Sequence, residues 1–436
     1  MIDGQRFSIA VCGINSATDY SGGRYYAWMV AEALASRGHH VVVWTDNPPV
    51  FLDDFGLFPA HASIDLRCGR GMRRPPAGPF DLVVLVPHLA RRHAFFPKTL
   101  LLARKHRSRL VLLSFETPNW YNLLSPAKRD AWLWDNWYRS SRDASLILSI
   151  SAEGNRFATR FYTSCPTQTR FDYCYPSINS IVADSVVGVQ REKRIILMTR
   201  FVWAEHKGGS STPELICEAM RGYTLALIVG TGEVPPAQMD ELRRRAAEHG
   251  VEIEVKYRLA DRDKFREIKR ASLMLFPSYF EGFGLPPVEA QYCNVPCIAF
   301  DLPVLREVSG DGLIYVEHGN WPQFRARIAE VLNSTNTYER LQDNIAEVAC
   351  FENYVERIDR IVQRVMETDL PDESRAQRFV NTATLRAELC YSLLHNSLFG
   401  VARRLGRLAL RLAVIVLQGV LPEETYQRFR AYIKGE

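Results

Sequence analysis

The chain has little net charge and no cysteine spacing typical of a metal site, and these absences narrow its function. The formal net charge of the 436 residues is only +5, too small to indicate nucleic-acid binding by itself. Nine cysteines are present, but no two form a C-x-x-C pair, so neither a zinc site nor a redox dithiol is indicated. Scattered thiols of this kind are typical of reduced proteins, and we therefore expect a reducing compartment.

Long apolar runs are also lacking. The uncharged apolar stretches, such as residues 412–417, are far shorter than the ~20 residues that a membrane-spanning helix needs. The residues before the first predicted strand contain no long apolar region of the signal-peptide type. We therefore expect a cytoplasmic protein, and the length predicts two or three domains.

What is present begins with a strand, a glycine pair and a helix. Residues 8–13 are a short apolar run, Gly22 and Gly23 follow in a polar loop, and apolar residues then recur at helical spacing until Gly38. A second strand at 41–44 completes the opening of a parallel α/β domain, whose ligands bind at the carboxyl edge of the sheet. G-x-G-x-x-G is absent, so a nicotinamide cofactor is not indicated. The glycine pair is either a ligand loop or an ordinary turn.

Aromatic residues are concentrated between positions 115 and 138, which hold four of the eight tryptophans. Flat rings stack on sugars or lie at membrane interfaces, so Trp120, Tyr121 and Trp134 are candidates for an acceptor site. Core packing is the alternative, and helical spacing favours it. Glu116 directly follows a predicted strand and should face an interdomain cleft, as a ligand contact or a turn cap.

The second half repeats this order after a linker near residues 175–190. A strand at 195–198 leads into a loop with Arg200 and Lys207, two cations beside flexible glycines that suit a pyrophosphate. Surface solvation is the alternative. A helix is predicted to begin near Pro213, and a further strand runs into the glycine turn at Gly230.

A D-x-D motif at residues 261–263 formally matches a metal site of some sugar transferases. It also opens a predicted helix, and acidic residues at a helix start need no metal to explain them. We therefore assign no metal to it.

The central feature is residues 277–290, where a buried strand turns through glycines and prolines into a helix. Backbone N–H groups at such a start are unpaired and can hold a phosphate or a hydroxyl-rich ligand. Glu281 and Glu289 lie eight positions apart, and carboxylates can accept hydrogen bonds from vicinal diols. Alternatively, Glu289 complements the helix dipole and Glu281 is a solvated loop residue.

Taken in order, these motifs resemble glycosyltransferase family 4, retaining enzymes with the GT-B fold and an E-x7-E motif. The resemblance spans about residues 8–365 and is strongest over 195–310. It implies an α/β GT-B fold: two Rossmann-like domains facing across a cleft, plus a helical C-terminal extension. The predicted boundaries are 1–185 for the acceptor domain, 186–368 for the nucleotide-sugar donor domain and 369–436 for the extension.

The resemblance also implies roles for individual residues. Arg200 and Lys207 would hold the donor phosphates, Glu281 the transferred sugar and Glu289 the nucleotide ribose, while Glu116 would join the catalytic set. The implied donor-binding residues are Gly22, Gly23, Gly230, Arg258, Gly282, Phe283, Gly284, Leu285 and Glu289. A nucleotide sugar is the expected donor substrate, and no metal or other cofactor is expected.

One residue departs from the family pattern. Many members carry a histidine where this sequence has Glu116, which leaves donor preference and activity open. The implied function is retaining transfer of a sugar to a glycan or lipid-linked glycan in cell-surface polysaccharide synthesis. An epimerase or phosphorylase on the same fold, or a non-catalytic membrane-bound scaffold, are the alternatives.

The C-terminal tail carries a basic amphipathic pattern. Between residues 401 and 412, Arg404, Arg407 and Arg411 share one helical face and apolar residues another. Such a helix lies on an anionic membrane, which would make the protein peripheral at the inner face of the cell membrane through residues 401–417. A helix that packs on the protein or pairs two subunits is the alternative.

Overall fold

The strands form two parallel sheets. A computed structural model describes residues 5–15, 18, 22–89, 93–201, 205–334, 340–368, 370 and 377–394. The first sheet has the order β3-β2-β1-β4-β5-β6-β7, with β1 Ser8–Cys12, β2 His40–Thr45, β3 Asp65–Cys68, β4 Leu82–Leu85, β5 Arg109–Ser114, β6 Leu146–Ser149 and β7 Arg170–Tyr173. The second has the order β10-β9-β8-β11-β12-β13, with β8 Arg194–Thr199, β9 Thr224–Val229, β10 Glu252–Tyr257, β11 Leu273–Phe276, β12 Cys297–Phe300 and β13 Ile314–Val316.

Helices connect the strands and cover the sheets. In the first half they are α1 Gly22–Ser36, α2 Phe95–His106, α3 Pro118–Leu124, α4 Asp135–Ser140, α5 Ala152–Phe161 and α6 Ser180–Ser185. In the second half they are α7 Pro236–His249, α8 Asp261–Arg270, α9 Leu285–Tyr292, α10 Pro303–Ser309, α11 Trp321–Asn333, α12 Leu341–Ala349 and α13 Phe351–Met366. All strand pairs are parallel.

The strand order places the ligand edge of each sheet. Both sheets have the doubly wound order. The first three strands are added toward one edge of the sheet, and the fourth strand is added on the opposite side of the first. Ligands bind beyond the carboxyl ends of the strands at that switch point. The central strands β4 and β11 are buried throughout, because helices cover both faces of a parallel sheet and make continuous apolar runs stable there. The predicted parallel α/β halves are confirmed.

The helix α13 crosses back onto the first half. The ring of Phe351 lies 4.5 Å from that of Phe58, and Tyr354 is fully buried. His39 Nδ1 accepts from the backbone N–H of Phe7 at 3.1 Å, so Nε2 carries the ring proton and donates to Asp359 at 3.0 Å. This crossing helix ties the end of the second half to the first sheet.

Glu307 joins the two halves beside the cleft. Its carboxylate accepts hydrogen bonds from the backbone N–H groups of Ala152 and Glu153 at 2.7 and 2.8 Å. These are unpaired donors at the start of α5, where the helix dipole also favours a negative charge. A helix of the first half is thus capped by a side chain of the second.

Two sequence predictions need correction. No α-helix begins near Pro213: residues Gly209–Leu215 form a 3-10 helix with that proline inside it, where a missing N–H prevents regular α-helical bonding. Gly22 and Gly23 are also not in a loop, since both belong to the first turn of α1. The domain boundaries at 185/186 and 368/369 stay predictions.

The C-terminal part of the described chain is helical. Residues 377–394 form a helix, Leu385 is buried in the main hydrophobic cluster, and Arg139 pairs with Glu388 at 3.8 Å. Within the described ranges, no helix has both the length and the apolar character that crossing a membrane requires. The amphipathic pattern at 401–417 lies outside the described residues.

Candidate functional site

A cavity of about 850 Å³ lies where the carboxyl edges of the two sheets meet. Its volume is in the range that holds a drug-sized or nucleotide-sized ligand. Both halves line it, and it brings together every catalytic and donor-binding residue proposed from the sequence: Gly22, Gly23, Glu116, Arg200, Lys207, Gly230, Arg258, Glu281, Gly282, Phe283, Gly284, Leu285 and Glu289.

The loop after β11 forms one wall of the cavity. Gly284 has φ of 100°, a left-handed conformation suited to glycine, and it directly precedes α9. The helix therefore starts at Leu285, and Glu289 lies one turn inside it. Ser151 Oγ of the first half donates to Gly282 O at 2.8 Å, so the loop is held against the opposite half.

An ion pair between Lys207 and Glu281 lines the cavity. Lys207 Nζ lies 2.7 Å from both carboxylate oxygens of Glu281, and the Glu281 side chain is only 8% exposed. Lys207 ends a short 3-10 helix, and a Cβ on the next residue, Gly208, would lie 2.2 Å from Pro277 O. The glycine thus lets the lysine loop pack against the end of β11, which brings the two charges together.

Glu116 lies on the first-half side, after β5. Its Oε1 is buried without a hydrogen-bond partner among the described residues, and Arg129 Nη1 is 3.7 Å away. Burial raises the pKa of the Glu116 carboxyl to about 6, while Arg129 and Lys207 oppose the rise and Glu281 adds to it. At neutral pH the group is an ionised acceptor that faces the cavity without a full set of donors.

Glu116 is therefore expected to destabilise the ligand-free protein above pH 6. The pKa of Glu116 is about 6 in the folded chain, above the ordinary 4.5. The free energy of unfolding therefore falls as the pH rises from the ordinary pKa through the folded one. The variant Glu116→Gln should gain up to about 2 kcal/mol at pH 7.5 relative to wild type, from ~1.5 pKa units at ~1.36 kcal/mol each. Thermal unfolding across pH 4–8 measures it, and an equal gain at pH 4 would contradict it.

A second buried carboxylate, Glu289, also lines the cavity. Lys264 Nζ contacts Glu289 Oε1 at 2.7 Å and Asp261 Oδ1 at 2.6 Å. Burial raises the pKa of Glu289, and Lys264 acts against the rise. Arg258, with φ of 50°, also lines the cavity, which therefore contains two separate lysine–carboxylate pairs.

Gly22 and Gly23 line the cavity from the first half. The helix α1 begins at Gly22, and a Cβ on Gly23 would lie 3.1 Å from the ring of Phe115. A side chain there would push that ring toward the cavity. Small residues at this position therefore allow the first half to approach a ligand closely.

The rings proposed as an acceptor site do not face the cavity. Trp120, Tyr121 and Trp134 are 2%, 0% and 0% exposed, and Trp120 and Tyr121 each lie 5.0 Å from the ring of Phe280. Their faces are covered by core residues, so they cannot stack on a sugar in this structure. Core packing, the alternative left open by the sequence, describes their position.

Several cavity residues were not singled out from the sequence. His206, whose Nδ1 is 3.1 Å from Tyr121 Oη, has a pKa lowered to about 2 by burial and by the nearby cations Lys207, Arg129 and Arg200. Arg129, His88 and Lys264 also line the cavity. The only sequence signals were the adjacency of His206 to Lys207 and the i,i+3 spacing of Lys264 from Asp261.

Comparison with solved structures identifies the architecture. A sucrose-phosphate synthase from Thermosynechococcus elongatus superposes with a TM-score of 0.64 at 15% identity, over 84% of this chain and all of the other. HepE of Anabaena, solved with UDP and glucose, superposes with a TM-score of 0.58 at 15% identity, over 82% of this chain and all of its own. The fold is GT-B. At this identity the likeness concerns the fold alone.

Sequence comparison gives a match in the second half. Residues 210–348 match the family described as glycosyl transferases group 1. The O-antigen chain mannosyltransferase RfbU of Salmonella typhimurium is 36% identical over 99 residues, 22% of this chain and 25% of the relative. The D-inositol 3-phosphate glycosyltransferase of Jonesia denitrificans is 34% identical over 122 residues, 27% and 28% of the two chains. The matched segments span only about a quarter of each relative.

Proposed function

We propose that this GT-B protein is a retaining glycosyltransferase of family 4 that moves a sugar from a nucleotide-sugar donor to a glycan. The observation that carries the proposal is the cavity itself, which brings the cations Arg200 and Lys207 together with the carboxylates Glu281 and Glu289. This matches the charges of a donor, with anionic phosphates between a sugar and a ribose. The family match of residues 210–348 to glycosyl transferases group 1 supports it.

The Lys207–Glu281 ion pair suits the phosphates of the donor. The Lys207 ammonium carries three N–H donors, so it can keep Glu281 and still donate to a phosphate oxygen. Arg200 adds a second cation in the same cavity. Together they would stabilise the negative charge that develops on the leaving diphosphate, without a metal, and such preorganised charge is often the largest contribution to catalysis.

The proposed reaction proceeds on one face of the sugar. The bond between the anomeric carbon and the leaving phosphate oxygen breaks while the acceptor oxygen bonds to the same carbon. The acceptor proton passes to that phosphate oxygen, and configuration is retained because the acceptor oxygen bonds on the same face that the phosphate leaves. Glu281 and Glu116 would hold sugar hydroxyls, since both are carboxylates lining the cavity from opposite halves.

The acceptor is proposed to be a glycan or lipid-linked glycan of a cell-surface polysaccharide. The name of one relative, an O-antigen chain mannosyltransferase, supports this class. We propose a cytoplasmic location with peripheral contact at the inner membrane face.

A donor panel tests the function. Purified protein is titrated calorimetrically with UDP-, GDP- and ADP-sugars, and the donor that binds is then incubated with glycan acceptors in the presence of a chelator. We expect one donor to bind and its sugar to be transferred with retained configuration, read from the anomeric coupling in NMR. Failure of every nucleotide sugar to bind would contradict the proposal, and product formed without an acceptor would indicate an epimerase instead.

A further inference from the structure

A single lysine connects the carboxylate proposed for the ribose to the contact between the two halves. Lys264 Nζ donates to Glu289 Oε1 at 2.7 Å and to Asp261 Oδ1 at 2.6 Å. The lysine side chain is 9% exposed, and those of the two acids are 5% and 3% exposed. All three residues line the cavity. The ammonium therefore holds two buried carboxylates in defined positions.

The lysine engages only one oxygen of Glu289. The other oxygen, Oε2, is buried and has no hydrogen-bond partner among the described residues. A buried carboxylate oxygen without a donor is unfavourable, so it favours a ligand that supplies one. The hydroxyl of a ribose is such a donor.

Asp261 is itself held from several sides. Its Oδ2 accepts from Tyr25 Oη on α1 and from Asn179 Nδ2 at 2.9 Å. Its backbone N–H donates to Asp54 Oδ1 at 2.8 Å. The first half thus fixes Asp261, and Asp261 fixes Lys264. The orientation of Glu289 depends through these bonds on the contact between the halves.

We propose that Lys264 is a positioning residue for ribose recognition: it donates to Glu289 Oε1 and leaves Oε2, the oxygen without a donor, as the main acceptor for one ribose hydroxyl. This inference rests on the proposed function, and it adds a residue outside the E-x7-E motif. It follows that one of the two ribose hydroxyls matters much more for binding than the other. It also follows that removing the ammonium weakens that preference.

The experiment compares the binding of ribonucleotides and deoxynucleotides by calorimetry. Wild type is titrated with UDP, GDP and ADP, and the ligand that binds most tightly is then replaced by its 2′-deoxy and 3′-deoxy forms. We expect one deoxy form to bind about tenfold or more weakly and the other within about threefold, because only one of them leaves Oε2 without a donor.

Three variants locate the effect. In Lys264→Met the preference for the ribonucleotide should fall to within about twofold, and in Lys264→Arg, which keeps charge and donors, most of it should remain. Lys269→Met is the matched control: Lys269 lies on the same helix but donates to Ala183 O and Val186 O, both at 2.7 Å, so the preference should be unchanged.

The possible outcomes separate this inference from the proposed function. If wild type binds none of the three nucleotides, the proposed function is contradicted. If wild type discriminates and Lys264→Met discriminates equally, only the role of Lys264 is wrong. Should the methionine variant bind nothing, the arginine variant decides, since loss of the ribose preference there also overturns the inference.

Discussion

Replacing Lys207 by methionine is expected to lower kcat/KM for sugar transfer by about 100- to 1000-fold, the cost of removing one preorganised charge from a developing anion. The ammonium lies 2.7 Å from both oxygens of Glu281, so the change removes the cation and leaves a buried carboxylate unpaired. Stability should therefore fall too, by about 1–3 kcal/mol. Steady-state kinetics and thermal unfolding measure the two effects.

A double variant separates catalysis from stability. In Lys207→Met with Glu281→Gln, no unpaired charge remains, so most of the lost stability should return. Activity should stay low, because no ammonium is present for the phosphates. The exposed Lys193, changed to methionine, serves as the control for losing a lysine. Normal turnover by the Lys207 variant would show that the cation does not act on the donor.

Replacing Gly282 by alanine is expected to lower kcat by about 100-fold, the order of effect that a ~1 Å misplacement of reacting groups produces. A Cβ at this position would lie 2.4 Å from Phe115 O and 3.0 Å from Ile150 Cδ1, both in the first half. The backbone oxygen cannot move aside as a flexible side chain could. The two halves should therefore no longer close on each other as they do here.

Scattering and kinetics test this variant together. We expect Gly282→Ala to have a larger radius of gyration than wild type and a lower melting temperature, because Trp120 and Tyr121 of the first half pack on Phe280 of the second. Gly69→Ala is the control, since a Cβ on Gly69 meets nothing within 4 Å and its backbone is extended. Unchanged turnover by Gly282→Ala would mean that catalysis does not require this contact.

The second half was predictable in detail because its signals are local. The apolar run before Pro277, the glycines and the two prolines predict a strand, a turn and a helix start, and the structure has β11, the turn at Gly284 and α9. The helix expected near Pro213 was wrong because a proline can begin an α-helix or sit within a tighter turn. Local patterns do not distinguish these two uses.

The aromatic segment shows the limit of such patterns. Trp120 and Trp134 could pack in the core or stack on a sugar, and composition is the same in both cases. The burial of Trp120 depends on Phe157 and Phe280, whose rings lie 5.6 and 5.0 Å from it. Both residues are far from Trp120 in the sequence. Similarly, Glu116 was located at a strand end, whereas its raised pKa depends on burial by the assembled halves.

The sequence by itself determined the two parallel α/β halves, the order of the motifs and the position of each chemical group at a carboxyl edge, because strand, turn and helix signals depend on neighbouring residues. Only the tertiary structure decided which groups meet. Lys207 and Glu281 are 74 positions apart, and Tyr25 and Asp261 are 236 apart. Such pairs form only when the halves close, so their partners, burial and charge balance depend on packing that no local pattern contains.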